Sequence, residues 1–155
     1  MSNLSTPEKK VVPATLFLAT TERTTIPQIP HVNGAMLERL HQTVHETGAH
    51  IVGDVTFYYH DMTDMVSEFT LGVALPIAEL VETAGTVFVR EALEFPCMAA
   101  EYTGGMPGIG EAWMSLLAEV QSAGLEPAGE CREIYKIWVD FDSPDNITEL
   151  QMGIA

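Results

Sequence analysis

The chain has 155 residues, enough for one domain, and 46% of them are apolar, so a hydrophobic core can form without disulfide bonds. Seven lysines and arginines against 22 acidic residues give a net charge of −15, which argues against direct binding to nucleic acid or anionic lipid. Two cysteines are too few for a disulfide framework or a thiolate metal site. No apolar run reaches the ~20 residues of a membrane span, and the start lacks a signal-peptide core, so we expect a soluble, cytoplasmic domain.

Along the chain, residues 1–13 are polar and interrupted by proline, and they predict a flexible N-terminal tail. A strand is predicted at Thr15–Thr21. A helix follows, with Asn33 as its N-cap and Gly48 just past its end. Its 3.6-residue spacing is set by Met36, Leu37, Leu40 and Val44. Two extended runs come next, Val55–His60 and Val66–Ala74.

The second half of the chain repeats this order. When the chain is aligned with itself, Gly34–Gly48 matches Gly110–Gly124, and the match continues to Tyr59 and Tyr135. The second copy is longer within 140–146, a turn composition where an insertion costs little. This copy has a helix that starts at 110, with Gly124 just past its last apolar position, and strands at Cys97–Thr103, Cys131–Val139 and Ile147–Ala155. A further strand can form ahead of them at Val87–Ala92.

The duplication predicts one domain over 14–155, with repeat one at 14–76, a linker at 77–86 and repeat two at 87–155. Each repeat is a βαββ unit, and one helix cannot cover its strands alone. The predicted fold is therefore α+β: two βαββ units form one antiparallel sheet with both helices on one face. We expect the small-molecule site in the cleft between the helices.

The two copies differ at one informative position, where Phe57 in the first corresponds to Glu133 in the second. Strand alternation puts Glu133 on the same face as Tyr135. If that face meets the helices, a carboxylate removed from water needs a partner, and a cationic or hydrogen-bond-donating ligand is one. Aromatic walls for such a ligand can come from Tyr59, Tyr102, Trp113 and Tyr135. The alternative is that Glu133 lies on the outer face, or pairs with Arg132 or Lys136.

Four short motifs in the second copy carry a family resemblance: CMAAEYTG at 97–104, GEAW at 110–113, REIY at 132–135 and ITEL at 147–150. With them the chain resembles, over about 14–155, the GyrI-like small-molecule-binding domain, also called the AraC-type or bacterial transcription-activator effector-binding domain. The resemblance implies paired βαββ repeats and a role in transcription regulation. In multidrug-binding members an acidic residue on this strand contacts lipophilic cations at the base of an aromatic cleft, and that role falls on Glu133. Where the family often has Gly-Pro-Tyr, this chain has Gly104-Gly105-Met106, so Met106 gives a softer lining.

The expected function is a stand-alone effector-binding module for a hydrophobic, cationic or neutral organic molecule. Related domains usually follow a DNA-binding helix-turn-helix, whereas only the segment 1–13 precedes the first predicted strand here. We therefore expect the module to sequester a compound or to act through a protein partner, with a homo-oligomer left open. The expected ligand-binding residues are Phe57, Tyr59, Tyr102, Met106, Trp113, Glu133 and Tyr135.

Two other functions stay open. Some stand-alone members of the family are hydrolases that open cyclopropane-bearing toxins, and Glu133 with Tyr135 is suited to activating water. A gyrase inhibitor is the third candidate, implied by the family name. We expect no cofactor and no metal, because His41 and His45 share a helix face but lack a defined third ligand.

Overall fold

The computed structural model describes residues 3–62, 64 and 66–155. The chain divides into two compact units, one formed by Pro13–Glu94 and the other by Met1–Val12 with Phe95–Ala155. Each unit contains four antiparallel strands and one long helix. In chain order the elements are β1 (Glu8–Val12), β2 (Thr15–Thr24), α1 (Ile29–Thr47), β3 (Thr56–His60), β4 (Phe69–Ile77), β5 (Phe88–Ala92), β6 (Phe95–Thr103), α2 (Ile109–Ser122), β7 (Pro127–Ile137) and β8 (Ile147–Ile154).

In the unit Pro13–Glu94 the strands lie in the order β3-β4-β2-β5, and α1 packs on β2 and β4. Met36 and Leu40, two residues whose spacing predicts this helix, are fully buried. They lie on the face of the helix that meets the sheet, where burial of large apolar side chains is the main stabilising contribution.

In the other unit the strands lie in the order β1-β6-β8-β7, and α2 packs on β6 and β8. Leu116 and Val120 of α2 are fully buried, and they pack against Leu150 of β8. Residues of β6 and β8 that alternate along the strands complete this core: Met98, Ala100, Tyr102, Met152 and Ile154.

The α+β class and the repeated β-α-β-β order are therefore confirmed. Both predicted helix ends are also confirmed, because Gly48 and Gly124 adopt the left-handed conformation just after the helices, at φ of 70° and 73°. The predicted start of α1 is wrong. Asn33 lies inside the helix, which begins at Ile29 after a 3₁₀ turn over Ile26–Gln28. Pro30 occupies the first turn, where the missing N–H costs nothing.

The first strands of the two repeats are exchanged. Strand β1 pairs with β6, although it precedes β2 in the chain, and β5 pairs with β2. The two pairings have equivalent registers in the two repeats: Glu8 lies opposite Ala99, and Phe88 lies opposite Ala19. Residues 8–12 of the predicted tail thus form an edge strand, while residues 1 and 2 are outside the described part of the chain.

On the face of the sheet opposite α2, a cluster of ion pairs links β1 to β6, β7 and β8. Lys10 Nζ lies 2.6 Å from Glu149 Oε2, and Lys136 Nζ lies 3.0 Å from Glu149 Oε1 and 2.7 Å from Glu101 Oε2. Burial opposes the charge of Glu149, but hydrogen bonds from Lys10, Gln151 and Lys136 outweigh it, so the pKa of this carboxyl lies below its ordinary value. Hydrogen bonds to Glu101 and Glu149 raise the pKa of Lys136.

Candidate ligand-binding site

Glu133 lies in the middle of β7 and is 5% exposed. Its partner across the ladder is Leu150, which belongs to the core beneath α2, so the carboxylate faces that helix. Arg132 and Lys136, the cations nearest to Glu133 in the sequence, each have another acidic partner. Arg132 donates to Glu130, and Lys136 donates to Glu101.

Two aromatic side chains donate hydrogen bonds to the Glu133 carboxylate. Trp113 Nε1 on α2 donates to Oε2 at 2.7 Å, and the Tyr135 hydroxyl donates to Oε1 at 2.5 Å. Tyr135 reaches it because residues two apart on a strand share a face. Trp113 follows the buried Ala112 at the edge of the buried face of α2. Each carboxylate oxygen is thus held by a neutral donor on a rigid element, which fixes its orientation.

Tyr102 is buried, and its hydroxyl donates to the carbonyl of Gly105 at 2.8 Å. Burial first, and the charge of Glu111 second, raise the pKa of this phenol. Gly108 leaves room for it, because a Cβ there would lie 2.4 Å from the hydroxyl oxygen. Tyr102 therefore supports the turn before α2 from within, and half-buried Met106 lies in that turn.

Phe57 and Tyr59 lie on β3 in the unit Pro13–Glu94. Both are buried, and the Tyr59 ring lies 5.7 Å from that of Phe69, centroid to centroid. Within their unit they lie opposite Val73 and Leu71 of β4, which belong to the core under α1. The structure thus brings Trp113 and Tyr135 into direct contact with Glu133, and places Phe57 and Tyr59 in the core of their own unit.

Sequence reasoning missed Trp138. Its ring packs edge-on against the Tyr135 ring, at 5.7 Å between centroids and an interplanar angle of 80°. The alternation from Tyr135 favours Ile137 on the same face, but the β7–β8 register shifts between those two residues. The available signal was composition, because Trp138 is one of only two tryptophans in the chain.

Other chemistries find little support. Burial raises the pKa of Cys97 to about 11 and that of Cys131 to about 12, so neither thiol is a thiolate at neutral pH. Among residues 3–62, 64 and 66–155, no group of three or more His, Cys, Asp or Glu side chains is placed to hold a metal ion. Within the same described part of the chain, no helix is long and apolar enough to cross a membrane.

No family model matches the sequence, and no curated protein matches it. Solved structures do. The crystal structure of the EcmrR C-terminal domain superposes with a TM-score of 0.79 at 17% identity, covering 97% of each chain. EcmrR in a cryo-EM complex with DNA gives a TM-score of 0.84 at 14% identity, covering 98% of this chain. The chain spans 57% of that longer EcmrR chain.

Two further structures share the fold at low identity. SAV2435 bound to tetraphenylphosphonium has a TM-score of 0.61 at 11% identity, covering 97% of this chain and 94% of that one. A hydrolase from Listeria innocua has a TM-score of 0.65 at 11% identity, covering 96% and 91%.

The chain therefore has the fold of the GyrI-like effector-binding domain, and the resemblance carried by its motifs is confirmed at the level of the fold. In particular, it matches the EcmrR C-terminal domain over nearly the whole length of both chains.

Proposed function

We propose that this protein is a cytoplasmic effector-binding module that binds a hydrophobic organic cation at Glu133. The observation that carries the proposal is the buried carboxylate, 5% exposed and oriented by Trp113 and Tyr135. The module then sequesters the compound or reports its presence to a partner protein.

Charge favours a cation at this place. Trp113 and Tyr135 stabilise the carboxylate as neutral hydrogen-bond donors in a buried place. A carboxylate attracts an organic cation more strongly where little water competes, and the two aromatic rings add cation–π attraction of roughly 0.5–2 kcal/mol each. The net charge of −15 also attracts cations to the molecule from a distance.

The ligand of one structural relative supports the same chemical class. SAV2435, which shares the fold at 11% identity, is bound to tetraphenylphosphonium, a cation with four aromatic rings and no hydrogen-bond donor. A carboxylate whose two oxygens already accept hydrogen bonds suits such a ligand, because recognition then depends on charge and on apolar contact.

Thermal unfolding with tetraphenylphosphonium tests the proposal. At about 100 times the dissociation constant a ligand stabilises the native state by about 2.7 kcal/mol, or roughly 5–10 °C in Tm for a domain of this size. Glu133→Gln is expected to weaken binding more than about tenfold, because the charge is removed from a site shielded from water. Glu119→Gln, at an exposed carboxylate of α2, is the matched control and is expected to bind like the wild type.

The Gln variant is expected to fold. Its side-chain carbonyl can accept from the Trp113 indole, and its amide can donate to the Tyr135 hydroxyl, so both hydrogen bonds survive without the charge. Equal affinity of the wild type and Glu133→Gln for the probe contradicts the electrostatic role of this residue. No binding by the wild type contradicts the proposed function itself.

Hydrolysis of a strained electrophile is the second candidate, favoured by the direct Glu133–Tyr135 contact and by the shared fold of the Listeria innocua hydrolase. In this reaction Glu133 takes a proton from water, the water oxygen bonds to a ring carbon, and the broken ring bond takes up a proton. Mass spectrometry of a cyclopropane-bearing electrophile incubated with the protein would show the gain of one water. Unchanged substrate at high protein concentration, or equal turnover by Glu133→Gln, counts against this candidate.

A further inference from the structure

Trp138 is an exposed aromatic residue in contact with the Glu133 site. It comes directly after β7, its side chain is 50% exposed, and its ring packs edge-on against Tyr135, whose hydroxyl holds Glu133. Three neighbours in the chain that are also large, apolar and about half exposed are Ile137, Val139 and Phe141. Clustered exposure of this kind is typical of binding surfaces rather than of ordinary loops.

The backbone around Trp138 is held in place by hydrogen bonds. Val139 N donates to Asn146 Oδ1 at 2.7 Å, and Asn146 Nδ2 donates to the carbonyl of Asp140 at 2.7 Å. Asn146 is fully buried. Met106 N, in the turn before α2, donates to the carbonyl of Phe141 at 2.8 Å. The segment that follows Trp138 is therefore fixed to the turn before α2, which favours a preorganised position for the exposed indole.

Trp138 is connected to the Glu133 carboxylate through one residue, Tyr135. The indole touches Tyr135, Tyr135 donates to one oxygen of Glu133, and Trp113 donates to the other. A small cation can contact Glu133 without reaching Trp138, whereas the aromatic substituents of a larger cation extend past Tyr135 and can contact the indole. Indole faces attract both the charge and the rings of such a ligand.

We propose that Trp138 contacts the ligand of the Glu133 site and selects cations with bulky aromatic groups. This inference rests on the proposed function and adds a specificity-determining residue to it. In repeat one the equivalent position is Met62, so this feature belongs to the second copy alone.

Calorimetric titration with tetraphenylphosphonium tests the inference. Trp138→Leu is expected to weaken binding about five- to tenfold, because it removes an aromatic contact to the probe. Trp138→Phe keeps a ring and is expected to stay within about twofold of the wild type. Phe88→Leu, at an exposed aromatic residue of β5, is the matched control and is expected to change nothing.

Fluorescence gives a readout that a merely structural role would not move. The chain has two tryptophans, so Trp113→Phe leaves Trp138 as the only one. Its emission is expected to change with added probe and to saturate at the dissociation constant that calorimetry gives for the same variant.

The outcomes separate the two proposals. Wild-type affinity in Trp138→Leu, or unchanged Trp138 emission at saturation, overturns this inference and leaves the Glu133 site standing. No binding of the probe by the wild type overturns both.

Discussion

Replacing Trp113 by Phe removes one of the two donors to the Glu133 carboxylate and keeps an aromatic ring at that place on α2. A hydrogen bond to a charged group contributes about 1.5–3 kcal/mol to stability. Trp113 is half-buried, so water can partly replace the lost donor, and the lower part of that range applies. We expect Trp113→Phe to lower the free energy of unfolding by about 2 kcal/mol, or roughly 4–8 °C in Tm.

Urea unfolding at neutral pH of the wild type, Trp113→Phe, Glu133→Gln and the double variant measures the contact itself. In the Gln background the indole donates to a neutral carbonyl, and a neutral hydrogen bond contributes only about 1 kcal/mol. Removing Trp113 is therefore expected to cost about 1 kcal/mol less in that background than in the wild type.

Additive free energies in this cycle would refute the reasoning, because they would mean that the indole does not interact with the charge of Glu133. A change of less than about 0.5 kcal/mol in Trp113→Phe alone would refute it as well. Trp138→Phe serves as the control, since the other tryptophan is half exposed and does not bond to the carboxylate. Its effect on stability is expected to stay within about 0.5 kcal/mol.

Three further predictions concern the same unit. The lowered pKa of Glu149 means that its charge stabilises the fold above the ordinary value of 4.5, and this contribution is lost as the pH falls through the folded pKa. In Glu149→Gln the urea midpoint should thus fall less than in the wild type as the pH is lowered. The raised pKa of Lys136 affects stability only as the pH rises past 10.5. Gly108→Ala is expected to lower the free energy of unfolding by about 1–3 kcal/mol, because its Cβ would lie 2.4 Å from the Tyr102 hydroxyl oxygen. Adding Tyr102→Phe should restore much of this loss, because without that oxygen the nearest ring atom, Cζ, lies 3.6 Å from the new Cβ. The buried Thr148 hydroxyl has no hydrogen-bond partner among the described residues. Thr148→Val should therefore raise the free energy of unfolding, measured with urea, by about 0.5–1 kcal/mol.

The repeated order of elements was predictable because each copy carries its own pattern of apolar spacing and its own helix-ending glycine. Strand β1 was not. Glu8–Val12 is a short edge strand whose pairing partner, β6, lies in the other half of the chain, and its two lysines resemble a solvated tail. Its equivalence to β5 is visible only in the pairing registers, because EKKVV at 8–12 and FVREA at 88–92 share no identical residue.

The candidate site was predictable in part, for a similar reason. The pairing of Glu133 with Tyr135 follows from strand alternation, which the sequence encodes locally. The contact from Trp113 depends on how α2 packs on the sheet, and the contact of Trp138 depends on the register shift after Tyr135. Neither the packing of α2 nor this register shift can be predicted from the spacing of residues along one element.

The comparison of the two repeats shows that the buried carboxylate and its indole donor occur together in the second copy. In repeat one the positions of Glu133 and Trp113 hold Phe57 and Leu37, an apolar pair, while Tyr59 matches Tyr135. Glu133 alone in such an apolar environment would carry a large desolvation cost, and its donors offset part of that cost. The acid and the indole therefore depend on each other. This dependence is the coupling that the Trp113 and Glu133 variants measure.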